Sequence, residues 1–137
     1  MAHRCHLGIP TVVENHPILD DGAPFPTLFW LTCPVLVKRA SKQEAVGALT
    51  RETNRLGVDR VLKARQSTAA ARYVTRRDAL AEIDRDAPLP GGGPDRIKCL
   101  HAHVAHELAD PPNPIGARAL SESGWPECVV PCVERAR

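Results

Sequence analysis

Apolar residues recur at helical spacing in the middle of the chain and predict two consecutive helices. The first apolar series follows Ser41 and Glu44, which have the spacing of a capping box, and it stops where Gly57 favours termination. The members of this series are Ala45, Val46, Leu49 and Leu56. A second series follows Asp59 and extends to about Asp84. Its members are Leu62, Ala69, Tyr73, Leu80 and Ile83. We expect the two helices to pack as an antiparallel hairpin.

The segment before these helices lacks a helical period. Residues 1–26 are rich in proline, glycine and histidine, which predicts a loop-rich arm with at most one short strand, over residues 9–13. Residues 27–32 are apolar and β-prone, which predicts a strand in the core. Pro34 suits the first position of a helix and would place Cys33 at the N-cap, where the helix dipole favours a thiolate. A cysteine packed at the end of a buried strand would give the same pattern.

A third helical segment lies between Asp95, a suitable N-cap, and the pair Pro111-Pro112, which stops a helix. At roughly 100° per residue, Cys99, His103 and His106 fall on one face of this helix. The apolar residues of the opposite face are Leu100, Val104 and Leu108. The spacing therefore predicts two or three metal-ligand side chains on one helix face, although a histidine-lined cleft without metal fits the same spacing.

A short final helix is predicted from Pro114 to before Gly124, with Asn113 as its cap. The expected fold is mainly α with one or two short β-strands, in one small domain. Its parts are the arm (1–26), a strand with the helical hairpin (27–85), a Pro/Gly loop (86–95), the Cys/His helix with the short helix (96–124), and a tail (125–137).

Composition and charge narrow the classes of partner. The 137 residues and 43% hydrophobic content suit a single domain. A net charge of +2 gives little attraction for nucleic acid, so a nucleic-acid partner is not expected. The longest apolar run is too short to span a bilayer, and the N-terminus lacks the apolar core of a secretion signal. We therefore expect a cytoplasmic protein, with a protein partner and the oligomeric state left open.

Five cysteines, an odd number, favour metal ligation or free thiols over a disulfide framework in such a protein. The candidate ligands are Cys5, Cys33, Cys99, His103 and His106, and the further candidates are His101, Cys128 and Cys132. Zinc and iron–sulfur clusters both use residues of these types. The chain has neither a C-x₂-C knuckle nor an H-E-x-x-H pair that would decide between them. His101 points nearer the apolar side of the predicted helix, which favours a core or supporting role.

Several motifs of the chain together resemble the bacterial "domain of unknown function 501" family. They are Arg4-Cys5 followed by Gly8 and Pro10, and the segments 21–34, 94–106 and 113–116. The family is uncharacterised, so the resemblance implies a soluble bacterial protein and supplies no reaction or cofactor. It also implies that Cys5, Cys33, Cys99 and the histidines near Cys99 belong to recognisable motifs.

Three functions remain, in decreasing order of support. The first is a metal-binding module with a structural or regulatory role, in which Cys33 and Cys99, together with Cys5 and one further candidate, hold zinc or an iron–sulfur cluster. The second is an enzyme that uses Cys33 as nucleophile with His103 or His106 as base, or that depends on a bound metal. The third is a helical partner-binding protein without a cofactor.

Overall fold

Three short strands precede five helices in residues 2–25, 27–81 and 89–132, which are the residues that the computed structural model describes. The strands are β1 (His3–Arg4), β2 (Pro10–Glu14) and β3 (Phe29–Leu31). The helices are α1 (Pro34–Ala45), α2 (Ala48–Val58), α3 (Arg60–Leu80), α4 (Leu100–Ala109) and α5 (Pro114–Ser123). The predicted class, mainly helical with a little β-structure, is therefore confirmed. None of the helices within these residues combines the length and the apolar character that crossing a membrane requires.

The strands form an antiparallel sheet in the order β1-β2-β3. Gly8 adopts a positive φ of 79° in the turn that returns the chain from β1 to β2. The prediction of at most one strand in residues 1–26 was therefore wrong, because this turn lets His3 and Arg4 pair with β2 as a second strand. In β3 the side chains alternate, so that Phe29 and Leu31 are buried while Trp30 is half exposed.

Helix α1 begins at Pro34, with Cys33 at its N-cap as predicted. The prediction of a capping box at Ser41 and Glu44 was wrong, because both residues lie inside α1. The single helix predicted over this region is instead two helices. Gly47 adopts a φ of 93°, which ends the helical conformation between α1 and α2.

Helix α3 begins after Asp59, as predicted, and the Asp59 carboxylate accepts a hydrogen bond of 3.0 Å from the Leu62 N–H. Asp59 alone separates α2 from α3, and the two helices contact each other. The expected helix end near Asp84, together with Ile83, lies outside the described residues. The inner face of α3 buries the polar side chain of Gln66 in addition to Tyr73.

Helix α4 lies at the centre of the core, where it packs on β3, α1 and α5. It begins at Leu100 and not after Asp95, because Cys99 has an extended backbone (φ −157°, ψ 120°) and forms the N-cap. The residues before Cys99 form a loop, in which the Lys98 N–H bonds Gly91 O at 2.8 Å. The shared face predicted for Cys99, His103 and His106 was therefore wrong for Cys99, since the angular period applies only inside a helix.

Helices α4 and α5 approach each other closely at Gly116. Asn113 caps α5 as predicted, by accepting a hydrogen bond from the Gly116 N–H at 3.0 Å, and Gly124 ends the helix with a φ of 73°. A Cβ at position 116 would lie 2.0 Å from the carbonyl oxygen of His103. Only glycine therefore permits this packing of α5 on α4.

The Gly116→Ala substitution is expected to lower the free energy of unfolding by about 1–3 kcal/mol, because the added methyl group must push the two helices apart. Gly57→Ala is the matched control, since a Cβ at this exposed position in α2 would meet nothing within 4 Å. This control should raise the free energy of unfolding by about 0.4–1 kcal/mol. Urea unfolding of both variants measures the difference, and equal stability of the two would contradict the close approach at Gly116.

Candidate metal centre

Three potential metal ligands converge where the end of α1 meets the start of α4. Glu44 comes from the last turn of α1, Cys99 from the N-cap of α4 and His101 from its first turn. The Nδ1 atom of His101 lies 3.2 Å from Glu44 Oε1 and 3.7 Å from Cys99 Sγ. All three potential ligand atoms lie within 4.8 Å of one another, and the side chains are half-buried. In the part of the chain that is described, this is the one group of three or more such residues that meets this distance.

The other ring nitrogen of His101 is held by α1. Its Nε2 lies 3.1 Å from the carbonyl oxygen of Val37 and 3.1 Å from the hydroxyl oxygen of Ser41. A carbonyl can only accept, so the contact with Val37 favours the tautomer in which Nε2 carries the proton. In that tautomer the Nδ1 lone pair points toward Glu44 and Cys99. Metal-bound histidines are oriented by the same kind of contact through their distal nitrogen.

Glu44 has a second partner that fixes its position. Its Oε1 atom accepts a hydrogen bond of 2.7 Å from the Leu100 N–H at the start of α4. This backbone group has no partner within its own helix, and the N-terminal end of a helix favours a negative charge. Glu44 thus caps a helix that lies more than fifty residues further along the chain, and the same carboxylate oxygen faces His101.

A cleft of about 460 Å³ opens beside Cys99 and His101. Apolar side chains form most of its remaining wall, among them Trp30 from β3, Val37 from α1 and Ala102 from α4. Two of the three converging ligands, Cys99 and His101, therefore lie at the edge of a space large enough for a small molecule.

His103 faces away from this centre into a buried polar network. Its Nε2–H donates to Gly91 O at 2.9 Å, and its Nδ1 accepts from the side-chain amides of Asn113 at 3.1 Å and Gln66 at 3.3 Å. Burial lowers the pKa of His103, so the ring is neutral in the folded protein at neutral pH. Both ring nitrogens are therefore occupied by protein partners.

His106 lies beside His103 in the same network. Its Nδ1 accepts from Asn113 Nδ2 at 3.0 Å, so the two amide hydrogens of Asn113 bridge the two histidines. The His106 ring stacks on Phe29, with ring centroids 5.8 Å apart, and meets the edge of Tyr73. Burial lowers the pKa of His106 to about 4, and the positive charge of Arg72 adds to this effect. Its Nε2 has no hydrogen-bond partner among the described residues.

The other four cysteines lie apart from Cys99. Cys5, Cys33, Cys128 and Cys132 line a cavity of about 10 Å³ near the sheet and the C-terminal tail. All five cysteines of the protein are free thiols. The structure therefore brings Cys5 and Cys33 to one place and Cys99 with His101 to another. The catalytic pairing of Cys33 with His103 or His106 has no support in the observed hydrogen bonds, since these histidines bond Gly91, Gln66 and Asn113 instead.

The candidate centre includes one residue that sequence reasoning did not select. Glu44 was interpreted as part of a local capping box, and no periodic pattern links it to a helix that begins 56 residues later. The proximity of Cys99 and His101 has a weak local signal, because two residues spaced i and i+2 can meet when the first is extended and the second begins a helix.

Comparison with known proteins gives a match over most of the chain. The model of a family described as "Protein of unknown function (DUF501)" matches residues 1–121. No curated protein and no solved structure matches the chain. The matched segment contains Glu44, Cys99 and His101, whereas Cys128 and Cys132 lie beyond it.

The buried state of His106 predicts a loss of stability in acid. The pKa of His106 is about 4 in the folded protein against 6.5 when exposed, so the unfolded chain binds a proton that the folded one does not. The free energy of unfolding should therefore fall as the pH decreases through this window. The share due to His106 is on the order of 3 kcal/mol. Urea unfolding at neutral pH and near pH 4 measures the change.

A variant with His106→Gln keeps an acceptor near Asn113 and removes the titration, so its stability should depend less on pH. His16→Gln is the matched control, because His16 is exposed in a loop and should leave the wild-type dependence unchanged. The same pH dependence in the wild type and in the His106 variant would contradict the assignment.

Proposed function

The chain belongs to the DUF501 family of proteins of unknown function, and we propose that it is a zinc-binding protein whose metal is held by Glu44, Cys99 and His101. The observation that carries this proposal is the convergence of one thiol, one imidazole nitrogen and one carboxylate oxygen within 4.8 Å. These three side chains come from two helices, and each is positioned by backbone that the fold itself fixes.

The spacing of the donor atoms fits tetrahedral zinc. Zinc bonds imidazole nitrogen and carboxylate oxygen at about 2.0–2.2 Å and thiolate sulfur at about 2.3 Å, so two ligands of one ion lie roughly 3.3–3.7 Å apart. The distances from His101 Nδ1 to Glu44 Oε1 and to Cys99 Sγ are 3.2 and 3.7 Å. Two of the three donor pairs therefore already have about the spacing of a tetrahedral site, and the third, Glu44 with Cys99, lies within 4.8 Å.

The types of donor atom favour zinc over the alternatives. Magnesium and calcium prefer oxygen ligands only, which disfavours them beside a thiol and an imidazole. Iron–sulfur clusters are held mainly by several thiolates, whereas this centre offers one. A thiol, an imidazole and a carboxylate are each common ligands of zinc.

A cation also resolves a conflict within the centre. When the Nε2–H of His101 donates to Val37 O, the Nδ1 lone pair faces the negatively charged oxygen of Glu44 at 3.2 Å. Two acceptors at this distance repel each other unless a proton or a metal ion lies between them. A bound zinc ion turns this repulsion into two coordinate bonds while the contact with Val37 is kept.

Three protein ligands leave one coordination position for water or a small molecule, which is the arrangement of zinc sites that bind or activate ligands. Cys99 and His101 line the cleft of about 460 Å³, so a small molecule in this space would lie next to the metal. We therefore propose a zinc site with an exchangeable fourth ligand at the edge of an apolar cleft.

Zinc binding by the metal-free protein tests the proposal. Removal of metal by a chelator, followed by calorimetric titration with Zn²⁺, should show binding that weakens by more than about 100-fold in His101→Gln, since loss of a ligand exceeds the effect of outer contacts. Glu44→Gln and Cys99→Ser should weaken the same binding step.

His16→Gln serves as the control, because it removes an exposed imidazole whose ring nitrogen bonds Ile18 in the same loop. Circular dichroism verifies that each variant is folded. Unchanged zinc affinity in all three ligand variants would overturn the proposal.

A further inference from the structure

Four cysteines that are widely separated in the sequence meet at one cavity outside the centre described above. The cavity is bounded by the turn between β1 and β2, the start of α1 and the C-terminal tail. Cys5, Cys33, Cys128 and Cys132 all line it. We propose that these four thiols form a second, structural zinc site that joins the two ends of the chain.

Two of the thiols are presented by fixed backbone. Cys5 lies in the turn after β1, where its N–H bonds Ile9 O at 2.9 Å and its carbonyl accepts from the Gly8 N–H at 2.9 Å. Cys33 is the N-cap of α1, and its carbonyl accepts from the Val37 N–H at 2.9 Å. The Cys33 side chain makes no capping hydrogen bond, so its sulfur is available as a ligand.

Contacts at Cys128 and in the residues just before it bring the tail to the same place. The Nε2–H of His6 donates to the carbonyl oxygen of Cys128 at 2.6 Å. Arg39 donates to Ser123 O at 2.9 Å and pairs with Glu127, which ties the preceding residues to α1. Cys128 is consequently half-buried beside the N-terminal turn, while Cys132 lies exposed at the outer edge.

The size of the cavity and the chemistry of its donors select one class of ligand. A volume of about 10 Å³ has room for one water-sized particle, which matches a single bound ion more closely than a cluster of several iron and sulfide ions. Four thiolates around one ion form the common Cys₄ structural zinc site. Hard cations such as magnesium and calcium are disfavoured by sulfur donors.

Binding requires the tail to close. Within the described residues no three of these sulfur atoms lie within 4.8 Å of one another, so the metal-free arrangement is wider than a closed site. Residues 125–132 form neither helix nor strand, and they can move inward without breaking a regular hydrogen-bond ladder. The free energy of coordination would then stabilise the closed tail, as metal binding and folding are coupled in other structural zinc sites.

The test compares zinc stoichiometry with protection of the thiols. Metal-free wild-type protein should bind two Zn²⁺ ions per chain, while the double variant Cys128→Ser, Cys132→Ser should bind one. His101→Gln should also bind one ion, and with Co²⁺ in place of zinc it should retain the strong sulfur-to-metal absorption of a site with several thiolates. The double variant should lose most of that absorption. Because the two variants differ in this absorption, the experiment can disprove the four-cysteine site without disproving the centre at Glu44, Cys99 and His101, and the reverse.

Alkylation of the wild-type protein gives a readout that does not depend on whether any variant folds. Zn²⁺ should slow the modification of Cys128 and Cys132 by iodoacetamide, as located by peptide mass spectrometry. Equal labelling with and without zinc would overturn the second site. A disulfide between any two of the four cysteines in freshly purified protein, or the same zinc stoichiometry in the wild type and the double variant, would also overturn it.

Discussion

The hydrogen bond from the Leu100 N–H to Glu44 Oε1 determines where the central helix begins and what surrounds its first turn. One carboxylate oxygen replaces the missing partner of a buried helix end and lies 3.2 Å from the His101 ring. Helix α4 also packs on the sheet, α1 and α5. The residue at which α4 begins therefore determines which of its side chains face each of these neighbours. This contact contributes both to the fold and to the candidate metal centre, because the Glu44 side chain that caps the helix is also a candidate ligand.

Histidines on the same helix have different environments because they face different neighbours. His101 meets α1 and lies at the edge of a cleft, whereas His103 and His106 point toward α3 and α5, where Asn113 donates to both of them. A polar cluster buried this deeply is stable only when its groups are paired, and Asn113 and Gln66 provide most of that pairing. Packing and hydrogen bonding therefore account for His103 and His106, whereas the candidate centre lies at the N-terminal end of the same helix.

Local signals predicted the element boundaries that depend on local geometry. Asp59 and Asn113 cap their own helices, and Pro34 begins α1, because each acts within three residues of its position in the sequence. The start of α4 escaped prediction since it depends on Glu44, which is distant in sequence, and on the loop that leads to Cys99. A shift of the helix start by a few residues was enough to remove Cys99 from the predicted face. The convergence of Cys5 and Cys33 with the tail likewise depends on tertiary contacts, which no periodicity in the sequence encodes.

The two tryptophans of the protein lie beside different candidate sites. Trp30 lines the cleft next to Cys99 and His101, and Trp125 lines the cavity of the four cysteines. Indole fluorescence depends on the polarity and the quenching groups around the ring, so each site carries its own optical reporter. A variant that retains only one of the two tryptophans would allow binding at the cleft or at the cysteine cavity to be followed separately in solution, without an added label.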